Sequence, residues 1–282
     1  MTAADRPARK FPLALGRLPG AAKAARAGMN DVAAVDGRAM LRPQHHVAHA
    51  HADRGQRGAP VGLGLDSADV RSRMVERLRG EGISHPRVLA AFAAVPRHLF
   101  VDPGLATQAY EDTSLPIGHG QTISKPSVVA RMLELLCGGA NARAGGDLGA
   151  VLEIGTGCGY QTALLAEAAK RVVSVERVQP LHEKARTLLA PMRTGKLRLV
   201  LGDGIVGHAP GAPYDSIIAA AGASSIPAAW LEQLAIGGRL VSPVRQGDQG
   251  QVLVVVDRAA EGYIHSAHEA VKFVPLKSGL AR

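Results

Sequence analysis

The stretch Val151-Leu152-Glu153-Ile154-Gly155-Thr156-Gly157-Cys158-Gly159-Tyr160 decides how this chain is read. An apolar run that closes on an acidic residue and then alternates glycines reads as a strand turning sharply into a helix. Glycine has no Cβ, so its backbone can come close to a ligand. The helix that follows, opening with Gln161-Thr162-Ala163-Leu164-Leu165-Ala166, points free N–H groups at the same place. The dinucleotide fingerprint spaces its glycines G-x-G-x-x-G. Here the third glycine comes one residue early and Tyr160 stands where it would be, which disfavours NAD. The next apolar run, Val172-Val173-Ser174-Val175, ends in Glu176 about 20 residues on, where a strand-end carboxylate can accept both hydroxyls of a ribose. The implied ligand is a nucleoside.

Working outward, strand and helix patterns alternate. They predict helix 126–137, strand 151–154, helix 160–169, strand 172–176, helix 179–190, strands 197–201 and 214–220, helix 227–235 and strand 239–242. Such alternation argues for a parallel sheet with helices on both faces. The last stretch differs: Val252–Val256 and Ala270–Val274 read as an antiparallel pair closing the sheet edge. Upstream, Asp66-Ser67 is placed to cap a helix through Val70, Met74, Val75 and Leu78 that Gly80 and Gly82 stop. A second helix runs from Pro86 to Val95, where Pro96 breaks it. These two form a small N-terminal cap, and residues 102–125 read as a long irregular segment.

Net charge is +9, which by itself suggests an acidic partner. Much of the excess lies in residues 1–65, rich in Ala, Arg, Gly and Pro and lacking sustained periodicity. The expected organisation is therefore a disordered basic extension over 1–65 and one folded domain over 66–282. The run His45-His46-Val47-Ala48-His49-Ala50-His51 lacks a preformed metal geometry, and no metal is expected. Aromatics are 3% of the chain, too few to interleave with the arginines and stack bases, so nucleic acid is not the expected partner. Cys137 and Cys158 have neither metal-ligand spacing nor a disulfide framework, which fits a reducing, cytoplasmic compartment. No apolar run approaches the ~18 residues that a membrane span requires.

The segment Asp112-Thr113-Ser114-Leu115-Pro116-Ile117-Gly118-His119-Gly120-Gln121-Thr122-Ile123-Ser124 is long for a connection and heavy in turn formers. Loops of that kind are usually functional, and this one could fold over the cofactor cleft. Thr122 and Ser124 supply hydroxyls. Ser124 reads equally well as a cap for the helix entered through Pro126 or as a substrate contact.

The E-x-G-x-G-x-G pattern with an acidic second strand end resembles the S-adenosyl-L-methionine site of class I methyltransferases. The 112–124 segment strongly resembles the signature loop of protein-L-isoaspartate O-methyltransferases, as do Val95–Val101, Val151–Thr162, Ser174–Arg177, Gly202–Gly204, Pro213–Ile218 and Phe273–Leu276, collinear over about 67–280. The resemblance implies a Rossmann-like, doubly wound, mostly parallel sheet with an antiparallel C-terminal edge. It implies methyl transfer to the free α-carboxylate of L-isoaspartyl, and by extension D-aspartyl, residues of damaged proteins, which starts their repair through a succinimide. Carried over by position, Ser124 is the active-site serine touching the substrate carboxylate, and Thr122 and Ile123 belong to the loop closing over cofactor and substrate. Glu153, Gly155, Thr156, Gly157 and Gly159 match the cofactor motif. Glu176 matches the ribose acid with Arg177 after it, and Asp203-Gly204 the adenine-side pair. His119 is assigned to orienting the substrate. Departures from the pattern are Cys158 for serine, Lys125 after the active serine, and the apolar run Ala219–Ala223 after the fourth strand.

A carboxylate is already ionised at neutral pH, so this chemistry asks for no general base. It asks for alignment of carboxylate oxygen, methyl carbon and sulfur, with water excluded by closure at Gly118–Gly120. The expected protein is a monomer acting on isoaspartyl peptides and proteins. The competing readings are a class I methyltransferase with a small-molecule or RNA acceptor, and a binding protein acting through its basic extension.

Overall fold

The computed structural model describes residues 68–192, 195–247 and 250–281, and the extension, its histidine run and the Asp66-Ser67 cap lie outside them. Two helices come first, α1 (Ala68–Gly80) and α2 (Pro86–Ala94). Gly82 at φ 99 turns the chain between them and proline opens the second.

A short hairpin follows, β1 (Leu115–Gly118) and β2 (Gln121–Ile123), then α3 (Pro126–Cys137) and α4 (Ala140–Gly145). The alternating part is β3 (Ala150–Ile154), α5 (Tyr160–Ala168), β4 (Arg171–Glu176), α6 (Gln179–Leu189), β5 (Leu197–Leu201), β6 (Tyr214–Ala219), α7 (Ala228–Gln233) and β7 (Leu234–Arg245). The hairpin strands β8 (Gln251–Ala259) and β9 (Gly262–Val271) complete it. Seven strands form one sheet in the order β5-β4-β3-β6-β7-β8-β9, parallel through β7 and antiparallel beyond. This is the doubly wound, class I methyltransferase architecture expected from the sequence.

Alternation along each strand divides the core in two. Val151 packs with Leu78, Phe92, Leu133, Leu136 and Leu164 on one face, whereas Leu152 and Ile154 pack with Val173, Val175, Ile217 and Trp230 on the other. The first face carries most of the helices, including the N-terminal cap. The second is closed by α7 through Trp230, whose indole N–H donates to the Gly204 carbonyl at 2.8 Å. Arg239 and Asp257, directly opposed on β7 and β8, form a two-pronged pair at 2.7 Å each. The same guanidinium donates to the Leu135 carbonyl at 2.8 Å, which fixes the far end of α3 to the sheet.

Three expectations need correction. The segment 102–125 is not irregular throughout: Pro103–Gln108 makes a 3-10 turn and Leu115–Ile123 the hairpin. The strand expected at 239–242 begins at Leu234, because α7 ends one residue earlier and leaves those positions to the sheet. The final strand runs Gly262–Val271 rather than Ala270–Val274, since Ala259 opposite Gly262 makes a tight turn directly after β8. Phe273 and Val274 have already left the ladder ahead of Pro275, which cannot donate to one.

Candidate active site

The chain runs outward from β3 to β4 to β5 and then returns to β6 on the other side of β3. A crevice opens beyond the strand ends where the order reverses. Gly155, Gly157 and Gly159 turn the chain there with φ of 92, 56 and 93, angles that a side chain would strain. Gly155 donates to the Val175 carbonyl at 2.8 Å and Gly159 to the Thr156 carbonyl at 2.9 Å, which fixes the loop to its neighbours. A Cβ at Gly157 would come within 3.3 Å of Ile117 Cδ1, so the loop passes close under the β1–β2 hairpin.

Glu176, at the end of β4 and 5% exposed, lines the resulting cavity. One of its oxygens accepts from the Gly157 N–H at 2.8 Å and the other from the Val178 N–H at 2.9 Å. Lone pairs remain on both oxygens for two hydroxyl donors. Glycine backbone on one side and a carboxylate at the neighbouring strand end make this donor set suitable for a ribonucleoside.

Glu153 stands elsewhere. It is fully buried beneath the loop and does not line the cavity. Its carboxyl accepts from Gln161 Nε2 at 3.0 Å, Thr162 Oγ1 at 2.5 Å and Ser174 Oγ at 2.6 Å, so it joins β3 to α5 and β4. Burial raises it to about 7, against the opposing pull of those three donors. Cys158 and Tyr160, also buried, are both pushed up by burial and remain neutral, so neither serves as a nucleophile or base at neutral pH.

The hairpin forms the opposite wall. Its tip is Gly118-His119-Gly120, all at positive φ, and His119 (φ 53) is the one non-glycine residue in that region among the described residues. Thr122, Ile123 and Ser124 line the cavity. The two readings of Ser124 separate here. The N-terminus of α3 is not capped by Ser124, because Asp112 accepts from the Ser127 N–H at 2.9 Å and from its hydroxyl at 2.7 Å. The Ser124 carbonyl accepts from Arg97 Nη2 at 2.8 Å, while its hydroxyl has no partner among the described residues. Lys125 sits at the N-cap position without capping and does not line the cavity.

The sequence reading missed a third wall. Val274, Pro275, Leu276 and Lys277 line the cavity as part of a strap that crosses the strand ends. Gly222 pairs with it through the Val274 carbonyl and the Leu276 N–H, both at 2.8 Å. Arg177 donates from Nε to the Gly279 carbonyl at 2.8 Å and from Nη2 to Ser278 at 3.1 Å. Asp203 accepts from the Gly279 N–H at 2.6 Å and from the Ile205 N–H at 2.9 Å. Pro275 after an apolar run was the available signal, since proline ends a ladder and sends the chain elsewhere.

Of the residues singled out from sequence, the cavity therefore brings together Thr122, Ile123, Ser124, Gly155, Thr156, Gly157, Glu176, Arg177 and Gly204. It does not bring in His119, Glu153, Gly159 or Asp203. Gly159 faces inward, where a Cβ would meet Leu189 Cδ1 at 2.8 Å, and Asp203 is engaged with backbone. Among the described residues no helix is long and apolar enough to cross a membrane.

Comparison with known proteins agrees with this geometry. The family model for protein-L-isoaspartate(D-aspartate) O-methyltransferase matches residues 69–281. A protein-L-isoaspartate O-methyltransferase of Methylibium petroleiphilum is 56% identical over 285 aligned residues, covering 99% of both chains. One from Leptothrix cholodnii is 58% identical over 241, covering 84% of both. A solved protein-L-isoaspartate O-methyltransferase superposes with a TM-score of 0.65 at 27% identity, covering 74% of this chain and 67% of its own. A Plasmodium falciparum methyltransferase solved with S-adenosyl-L-homocysteine shares the fold, with a TM-score of 0.60 at 24% identity and coverage of 73% and 97%. With the family pattern spanning nearly all of the folded part, the chain belongs to the protein-L-isoaspartate(D-aspartate) O-methyltransferase family.

Proposed function

We propose a division of labour for the family's reaction, the transfer of a methyl group from S-adenosyl-L-methionine to the free α-carboxylate of an L-isoaspartyl residue, which opens the way to repair through a succinimide. When bound, the cofactor supplies an electrophilic methyl on a positively charged sulfur. Gly155, Thr156 and Gly157 receive it against backbone that carries no bulky side chain, their N–H groups being held by Val175 and Glu176, and Glu176 takes the ribose hydroxyls. Gly204 and the strap residues Leu276 and Lys277 close the far side.

The acceptor carboxylate needs no base, being ionised at neutral pH. Thr122 and Ser124 orient it, and Lys277 places a cation on the same cavity. Two opposite charges cancel as the methyl moves, so a dry cleft favours the step, and the β1–β2 hairpin closes the cleft. Positioning of this kind is worth ~7–11 kcal/mol in well-aligned systems.

The observation that carries the reading is the Ser124 hydroxyl. Ser124 lines the same cavity as the glycine loop and Glu176, and Asp112 has relieved its hydroxyl of capping. We read the protein as a monomer that acts on isoaspartyl peptides and proteins rather than on nucleic acid. Both cysteines are free and buried, as suits a cytoplasmic enzyme. The test is transfer of labelled methyl to matched isoaspartyl and aspartyl peptides. Label on the isoaspartyl peptide alone is expected, and equal labelling of both peptides, or of neither, would sink the reading.

A further inference from the structure

Arg97 is fully buried, and no described carboxylate forms an ion pair with it. Burying a guanidinium without a counter-ion is costly unless its donors are satisfied. Here they are spent on the lid. Nε donates to the Ala109 carbonyl at 2.7 Å, and Nη2 donates to Ser124 at 2.8 Å and Thr113 at 3.3 Å. One side chain thereby ties together three points spread along residues 109–124.

Its other contact is with the cofactor side. The guanidinium carbon lies 4.9 Å from the centre of the Tyr160 ring, and Tyr160 is the first residue of α5, directly after Gly159. Phe92 and Phe100 meet the same ring edge-on at 6.1 and 5.6 Å, so it has little room to move. Arg97 Nη1 and the Tyr160 hydroxyl are both buried, and neither has a well-formed hydrogen-bond partner among the described residues. The contact between the two loops combines the charge over the ring face with a polar interaction between the guanidinium and the phenol.

We infer that Arg97 is a positioning residue that couples the cofactor loop to the Ser124 lid, so that cofactor and isoaspartyl peptide bind cooperatively. The inference rests on the proposed roles of the glycine loop and Ser124. Any movement of Gly157–Tyr160 when the nucleoside seats reaches Ser124 through one rigid planar group, without passing through solvent. Lysine cannot replace it: a compact ammonium does not span the Ala109 and Ser124 carbonyls while stacking on a ring.

The test measures binding of a fluorescent isoaspartyl peptide with and without saturating S-adenosylhomocysteine, in wild type, Arg97→Lys and Tyr160→Leu. In wild type the cofactor product should tighten peptide binding by about tenfold, within the usual range for coupled sites. In both variants the ratio should fall to about twofold or less, because each removes one end of the link. A merely structural role would weaken peptide binding equally in both conditions and leave the ratio intact. A wild-type ratio in either folded variant overturns the inference, as does a wild-type enzyme with no cooperativity. The two variants test the link from opposite ends, so loss of one to misfolding leaves the other decisive. Wild-type enzyme that fails to methylate isoaspartyl peptide would instead sink the functional reading.

Discussion

Asp112 holds Ser127 by both its backbone N–H and its hydroxyl, and so caps a helix from a segment 15 residues upstream. That relationship leaves Ser124 available to the substrate, and it joins the start of the lid to the start of α3. Asp112→Ala should therefore lower thermal stability by about 0.5–2 kcal/mol, the range for losing a helix cap. It should also lower kcat/KM on an isoaspartyl peptide, since the lid loses its anchor. Calorimetry and steady-state kinetics on the same preparation check both.

Ser124→Ala removes one hydroxyl from the cavity wall and nothing from the fold. The expected loss in kcat/KM is about 10- to 20-fold, the worth of one hydrogen bond to a charged group at the lower end of its range. Affinity for S-adenosylhomocysteine should stay within about twofold of wild type, since the Ser124 backbone that Arg97 holds is unchanged. Wild-type turnover would remove Ser124 from the acceptor site.

Glu176→Ala acts on the other ligand. It takes away two hydroxyl acceptors and frees the Gly157 and Val178 N–H groups, so affinity for S-adenosylhomocysteine should drop by more than about tenfold. Isothermal titration calorimetry decides, and unchanged affinity would contradict the ribose role.

Glu153 gives a prediction in pH. Its folded carboxyl sits near 7, above an ordinary 4.5, chiefly because it is buried. The folded state binds the proton more tightly than the unfolded one. Its stabilising contribution is thus complete below the lower value and is lost as pH rises through the upper one. Glu153→Gln does not titrate, so the variant's Tm relative to wild type should improve between about pH 5 and about pH 8. A difference that is flat with pH would mean the carboxyl is ionised throughout.

Gly159→Ala meets two obstacles, φ of 93 and Leu189 Cδ1 at 2.8 Å from the new methyl. A loss of about 1–3 kcal/mol is expected from strain at such a position, read as a lower unfolding midpoint in urea.

Residues 1–65 enter through one measurement. Deleting them should leave kcat/KM on isoaspartyl peptides unchanged, because the cavity walls among the described residues come from later in the chain. A large loss would favour the reading in which the basic extension carries the function.

Periodicity and glycine spacing were enough to find the parallel sheet, because a buried strand and an amphipathic helix each write their burial into a short window. They found the crevice for the same reason, since Gly155, Gly157 and Glu176 all sit at strand ends. The role of Glu153 was less legible. A strand residue beside a ligand and one sealed beneath it carry the same local pattern. The clue lay in Thr162 and Ser174, polar residues at positions otherwise apolar, which exist to satisfy a buried carboxyl. Ser124 and Asp112 could not be told apart as caps, because a side chain from a distant segment leaves no mark on helix-start statistics. The strap was hidden similarly: its hydrogen bonds reach Arg177, Asp203 and Gly222, which are 52 to 102 residues away, from Val274 to Gly222 at one extreme and Gly279 to Arg177 at the other.

The course of that strap has a practical side. Ala281 pairs with Val178 and Gln179, and Val178 lines the cavity, so any polypeptide fused after this strap would start next to the proposed nucleoside site. Purification handles and fluorescent reporters belong at the opposite terminus, and a carboxy-terminal fusion would be a poor starting point for measuring affinity.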